Sequence, residues 1–168
     1  MIDKPDLLWH SNTIMPANGI LHFSDASLIA VHALGGLAAS PDHLVQSKDL
    51  AAIIGASEHH VAKVMQRLVH AGIVRSVKGP SGGFALAKSA DAISFKDAIE
   101  AVDGPLSGEF CPFRMDHCTP DNCIFGHEIT VHAIDLVAYL SKRTIADIEG
   151  HGIANSPATY SIKDMALA

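Results

Sequence analysis

Aromatic residues are scarce in this chain, at 5% against a hydrophobic content of 48%, so its interior must be packed mainly from Ala, Val, Ile and Leu. That balance points to a helix-rich protein. No run of 18 or more apolar residues occurs, which argues against a membrane span. The first residues carry Asp3 and Asp6 and lack a basic region followed by an apolar core. No secretory leader is therefore expected, and the chain reads as cytoplasmic. No phosphate loop, nucleophile elbow or paired-carboxylate site stands out, and internal repeats are missing, so an enzyme is the weakest reading. The 168 residues suffice for one domain with an extension or two small units, with a real core in either case.

What is present is concentrated between Ser47 and Leu86. Ser47 can cap a helix in which Leu50, Ile53 and Ile54 fall at helical spacing, and Gly55 breaks it. Ser57 can cap a second helix with Val61, Val64, Met65 and Leu68 on one face. His59, His60, Lys63, Gln66 and Arg67 then fall largely on the other side. Gly72 ends this helix. Ile73 to Val77 alternates like a strand, Gly79 to Gly83 is a turn, and Phe84 to Leu86 returns as a second strand. Helix, turn, helix, hairpin is the layout of a winged helix-turn-helix, whose second helix enters a DNA major groove.

A net charge of −6 looks wrong for a DNA binder until it is divided. Residues 21–90 hold six Lys/Arg and four Asp/Glu, giving +2, whereas residues 91–168 hold five and twelve, giving −7. Residues 1–20 contribute −1. Attraction to phosphate is screened over roughly 10 Å, so the local surplus on the winged helix matters more than the total.

Around this unit the chain divides readily. Residues 1–20, with two prolines and little periodicity, read as an N-terminal arm carrying Trp9. The DNA-binding domain with its following helix spans 21–105. It opens with a helix from Asp25 to about Ala38, capped by Ser24 and with Leu28, Val31, Leu34 and Leu37 as its apolar face. It closes with a helix in which Ser94 and Asp97 form a capping box and Phe95, Ala98, Ile99 and Val102 lie inward. Residues 106–123 form a cysteine loop. Residues 124–148 read as one long helix of about 35 Å, apolar on two stripes. Ile129, Ala133, Leu136 and Leu140 make one stripe, and Ile134, Val137, Ile145 and Ile148 the other. A helix apolar on two sides needs two partners, its own domain and a second subunit. Residues 149–168 read as a flexible tail.

Every cysteine in the chain lies in the loop: Cys111, Cys118 and Cys123, with His127 four residues beyond the last. Three thiols cannot all pair within one chain, and thiolates suit iron–sulfur clusters or zinc. Gaps of six and four residues do not make the close cysteine pair of a zinc knuckle. His127 is well placed as a fourth donor, with His117, Asp116 and Glu128 as competitors. A metal-free thiol switch or a zinc site is the alternative use of the same loop.

These segments resemble the Rrf-two-type bacterial transcription regulators, which include the iron–sulfur cluster regulator and the nitric-oxide-sensing repressor. The similarity runs from about Leu21 to Ile148 and is most specific at LVHAGIV and at the wing, VKGPSGGFAL. SFKDAIEAVDGPL and a three-cysteine loop follow in the family's order. The cysteine gaps differ from the commoner five and five, and a family histidine ligand stands where this chain has Gly126, one residue before His127. The resemblance implies a mainly α fold: a winged helix-turn-helix with a long C-terminal dimerisation helix. It also implies a homodimer on a palindromic double-stranded operator, with no membrane role. His59, His60 and Lys63 would face base edges, and Lys78, Gly79 and Ser81 phosphates or the minor groove. Ser57 and Arg67 complete the candidate DNA-binding set. Cys111, Cys118, Cys123 and His127 would hold a 2Fe-2S or 4Fe-4S cluster that sets operator affinity in response to iron, redox state or nitric oxide. The expected activity is that of a regulator, a repressor in the first instance, and not an enzyme. An enzyme-docking interaction module is the competing class.

Overall fold

The structure, a computed structural model, describes residues 22–108, 119, 122, 124, 125 and 127–148. The arm over 1–20, the three cysteines and the tail over 149–168 lie outside the described residues.

Helix α1 (Asp25–Ala38) begins where expected, with the Ser24 side chain accepting from the Ser27 amide. Its buried face only partly matches the expected one: Leu34 and Leu37 are buried as expected, but Leu28 and Val31 are only partly covered. Ile29, Ala30 and Ala33 are buried instead. The reason is that α1 packs against several elements at once, so small residues such as Ala30 and Ala33 sit at close contacts.

Helix α2 (Ser47–Ile54) ends at Gly55, which takes φ 74°. Its N-cap is Gln46 and not Ser47; Ser47 is the first helical residue, and no side chain caps the start. The start is displaced because Val45 pairs with Phe84 as an isolated bridge, which fixes the chain in extended form up to Gln46. Helix α3 (Glu58–His70) is capped by Ser57, whose hydroxyl accepts from the His60 amide. Val61, Val64, Met65 and Leu68 are all buried, as their spacing requires.

The wing pairs β1 (Val74–Val77) with β2 (Gly83–Leu86) antiparallel, in the register Val74 to Leu86 and Val77 to Gly83. The expected alternation does not extend along β1. Ile73 and Val74 are buried, and Arg75 to Val77 are exposed, because the hairpin projects beyond the core. Gly82 closes the turn: a Cβ there would stand 2.2 Å from the Val77 carbonyl oxygen, so no side chain fits.

Helix α4 (Phe95–Asp103) carries the complete capping box between Ser94 and Asp97. Ala98, Ile99 and Val102 are buried against α1 and α3, and Phe95 is half-buried. The single long helix over 124–148 is not found. Helix α5 runs only from His127 to Lys142, about 24 Å, and a separate 3-10 turn covers Ile145–Ile148. Between them the chain joins the backbone ahead of α4: the Phe95 amide donates to the Arg143 carbonyl, and the Ile145 amide to the Ile93 carbonyl. This turn puts Ile145, 0% exposed, into the core beside Ile93. A straight helix would carry Ile145 past the domain, and complete burial of such a side chain is worth about 1.5–3 kcal/mol. Leu140 is buried too, whereas Ile134 and Tyr139 are 53% and 55% exposed.

Candidate nucleic-acid interface and cysteine segment

Helical spacing lines up His59, Lys63 and Gln66 along α3, and all three are exposed. His60 is half-buried, and Ser57 is exposed with its hydroxyl engaged as the cap. The wing places Lys78, Gly79 and Ser81 at its exposed tip, beside a polar concavity lined by Glu58, Gln66, Ser76 and Lys78. Gln46 reaches from the start of α2 to the Pro80 carbonyl at 3.4 Å, a long contact that joins α2 to the wing tip. Motif reading overlooked Gln46 and Glu58. Helical spacing on its own would have put Gln66 beside Lys63.

Arg67 departs from the rest of the set. Arg67 is exposed, but its Nη1 donates to the Val102 carbonyl in the last turn of α4 at 2.9 Å, which ties its guanidinium to α4. A helix leaves its last carbonyls without intrahelical partners, and a cation there is favoured by the helix dipole. Nothing in the sequence of α3 alone signals this bond.

The described residues on either side of the cysteine segment both meet one helix, α5. His127 is the first residue of α5 and is exposed, as is Glu128. At the other end, Gly108 lies against Ile134, where an added Cβ would come within 2.6 Å of Ile134 Cγ1. Seven helical residues separate His127 from Ile134, about 10 Å along the axis. Gly108 and His127, the described residues on either side of the cysteine segment, thus both meet this stretch of α5. Among the described residues no group of three His, Cys, Asp or Glu could hold a metal ion. The stem is held separately: the Leu106 amide donates to Glu100 Oε1 at 2.9 Å. Glu100 also pairs with Lys96 at 2.9 Å, and these two donors, Lys96 foremost, hold its carboxyl below the usual 4.5.

The fold and the exposed polar face of α3 beside a glycine-built wing define a winged helix-turn-helix DNA-binding protein of mainly α architecture. The profile of the Rrf2 family, described as iron-dependent transcriptional regulator, matches residues 23–150. This chain belongs to that family; it is a DNA-binding transcription regulator and not an enzyme. A protein of Aquifex aeolicus (strain VF5) named as an HTH-type transcriptional regulator is 34% identical over 129 residues, covering 75% of this chain and 90% of that protein. Among solved structures, CymR (YrzC), the global cysteine regulator of B. subtilis, superposes with a TM-score of 0.68 at 23% identity, covering 79% of this chain and 98% of that one. IscR of T. potens gives 0.63 at 24%, covering 83% and 95%. At these identities the two structures establish the shared fold.

No helix among the described residues is long and apolar enough to cross a membrane.

Proposed function

We propose that this regulator works in the cytoplasm as a homodimer on a palindromic operator, with its affinity set by an iron–sulfur cluster in the cysteine segment. The observation that carries the reading is the composition and anchoring of that segment. Three thiols within 13 positions are flanked by Gly108, which lies against Ile134 of α5, and by His127, the first residue of α5. Cys111, Cys118, Cys123 and His127 form a donor set of three soft thiolates and one imidazole, which fits a cluster. When bound, a cluster supplies one-electron redox chemistry and reactivity toward oxygen and nitric oxide. The chain's own part is to tie the ends of the segment to α5 and its stem to α4.

In this reading residues 21–105 bind DNA, 106–123 carry the sensor, and 124–148 support dimerisation, flanked by an arm over 1–20 and a tail over 149–168. His59, His60 and Lys63 read base edges. Lys78, Gly79 and Ser81 meet the backbone or minor groove, and Ser57 lies at the end of α3 nearest the duplex. The exposed Ile134 and Tyr139 supply apolar area on α5 for a second copy. Dimerisation would set two α3 helices about 34 Å apart, one turn of duplex DNA.

The test is anaerobic purification, with iron and acid-labile sulfide assayed on the same sample used for operator binding. Bound iron and sulfide, with an operator affinity that changes on cluster loss and does so no longer in Cys111→Ala, is the expected result. A protein that takes up neither, even after reconstitution, and whose affinity follows thiol oxidation, would replace the cluster with a metal-free thiol switch.

A further inference from the structure

Three residues in the last turn of α4, Glu100, Val102 and Asp103, hold three other parts of the protein. Glu100 accepts the Leu106 amide at the stem of the cysteine segment. The Val102 carbonyl accepts Arg67 of α3 at 2.9 Å, and Val102 itself is 8% exposed. Asp103 Oδ2 accepts the hydroxyls of Ser24 and Ser27 at the start of α1, each at 2.6 Å. Ser27 is 2% exposed, so this end of α4 is fixed to a buried polar group. Two residues beyond Leu106, Gly108 meets α5.

We propose that the last turn of α4 is the link through which the stem of the cysteine segment sets the position of the recognition helix, with Arg67 and Glu100 as positioning residues. Glu100 fixes the stem to α4, and Arg67 fixes α3 to the same turn, two residues further on. A pull on Leu106 that tilts α4 about its Asp103 anchor on α1 moves the Val102 carbonyl, and with it the guanidinium and the C-terminal half of α3. The bond is charge-assisted and partly shielded from water, which strengthens it relative to a surface contact. What pulls on the stem rests on the cluster reading of the preceding section. The link itself does not.

The experiment is a double-mutant cycle on the full chain, without cluster, binding a duplex selected from a random pool by the wild-type protein. Arg67→Met removes the donor while keeping the apolar stem, and Glu100→Ala releases Leu106. Each single change is expected to weaken binding severalfold, and the double variant to weaken it at least threefold less than the product of the two, as members of one network do. Glu100→Gln, which keeps the acceptor, should bind like wild type, and the salt dependence should be the same in Arg67→Met as in wild type. Single effects that simply multiply overturn the proposal. So does a salt slope reduced by about one in Arg67→Met, the sign of a lost phosphate contact. Arg67→Ala, which also lacks the donor and favours helix, replaces Arg67→Met if circular dichroism shows the latter unfolded. A wild-type affinity that is the same with and without cluster would sink the sensing mechanism and leave this cycle readable.

Discussion

Ile134 and Ile145 lie on one apolar stripe of the sequence, yet the structure gives them opposite environments, and truncating each to alanine separates the two. Ile145 is 0% exposed in the core under the 3-10 turn. Ile145→Ala removes the equivalent of three buried methylenes, about 2.4 kcal/mol at roughly 0.8 kcal/mol each. The cavity left behind raises the cost to about 3 kcal/mol, within the range of about 2–5 for such truncations. For a domain of this size that lowers the thermal midpoint by about 10 °C. Ile134 is 53% exposed on α5, so Ile134→Ala should cost less than about 1 kcal/mol within one subunit. Its effect should appear in the concentration dependence of unfolding, if α5 joins two copies. The assay is thermal unfolding by circular dichroism over a hundredfold range of protein concentration. Ile145→Ala should shift the curve equally at every concentration, and Ile134→Ala most at the lowest. Equal behaviour of the two variants would refute the break after Lys142 and restore one continuous helix.

Gly82→Ala should weaken operator binding at least tenfold, measured by fluorescence anisotropy, with helix content unchanged. The added Cβ would collide with the Val77 carbonyl and force the wing open. Lys78→Ala should reduce the salt slope of operator binding by about one, and a slope the same as wild type would remove Lys78 from the phosphate contacts. Gly108→Ala should push the stem away from Ile134 and alter the sensitivity of DNA binding to thiol or cluster chemistry while leaving the wing intact. Glu100 titrates below its ordinary 4.5 because Lys96 and the Leu106 amide favour the charged form. Its contribution to stability is therefore fully present above that ordinary value and is lost as pH falls through the lowered one. Acid unfolding of wild type and Glu100→Gln should show a constant stability gap at neutral pH that closes in this acid window.

The residues that sequence reading placed well are those whose signals are local. Ser24, Ser57 and Ser94 cap the helices they were expected to cap, since capping depends on a hydroxyl and an amide two or three residues away. The apolar face of α3 and the glycine wing follow from spacing within a dozen residues. The family was legible for the same reason, because its markers are contiguous. Ser47 was misplaced because the start of α2 is fixed by a bridge to Phe84, 39 positions after Val45.

The chain's own periodicity, caps and glycines thus determined that it forms helices followed by a wing, and which face of α3 turns inward. Only the packed structure decided which side of α1 is buried, where α5 stops, and that Arg67 is held by α4. These outcomes depend on partners distant in sequence. An apolar residue can be recognised as needing burial from its own neighbourhood, but the neighbour that buries it, and the carbonyl that captures a guanidinium, exist only once the elements have met.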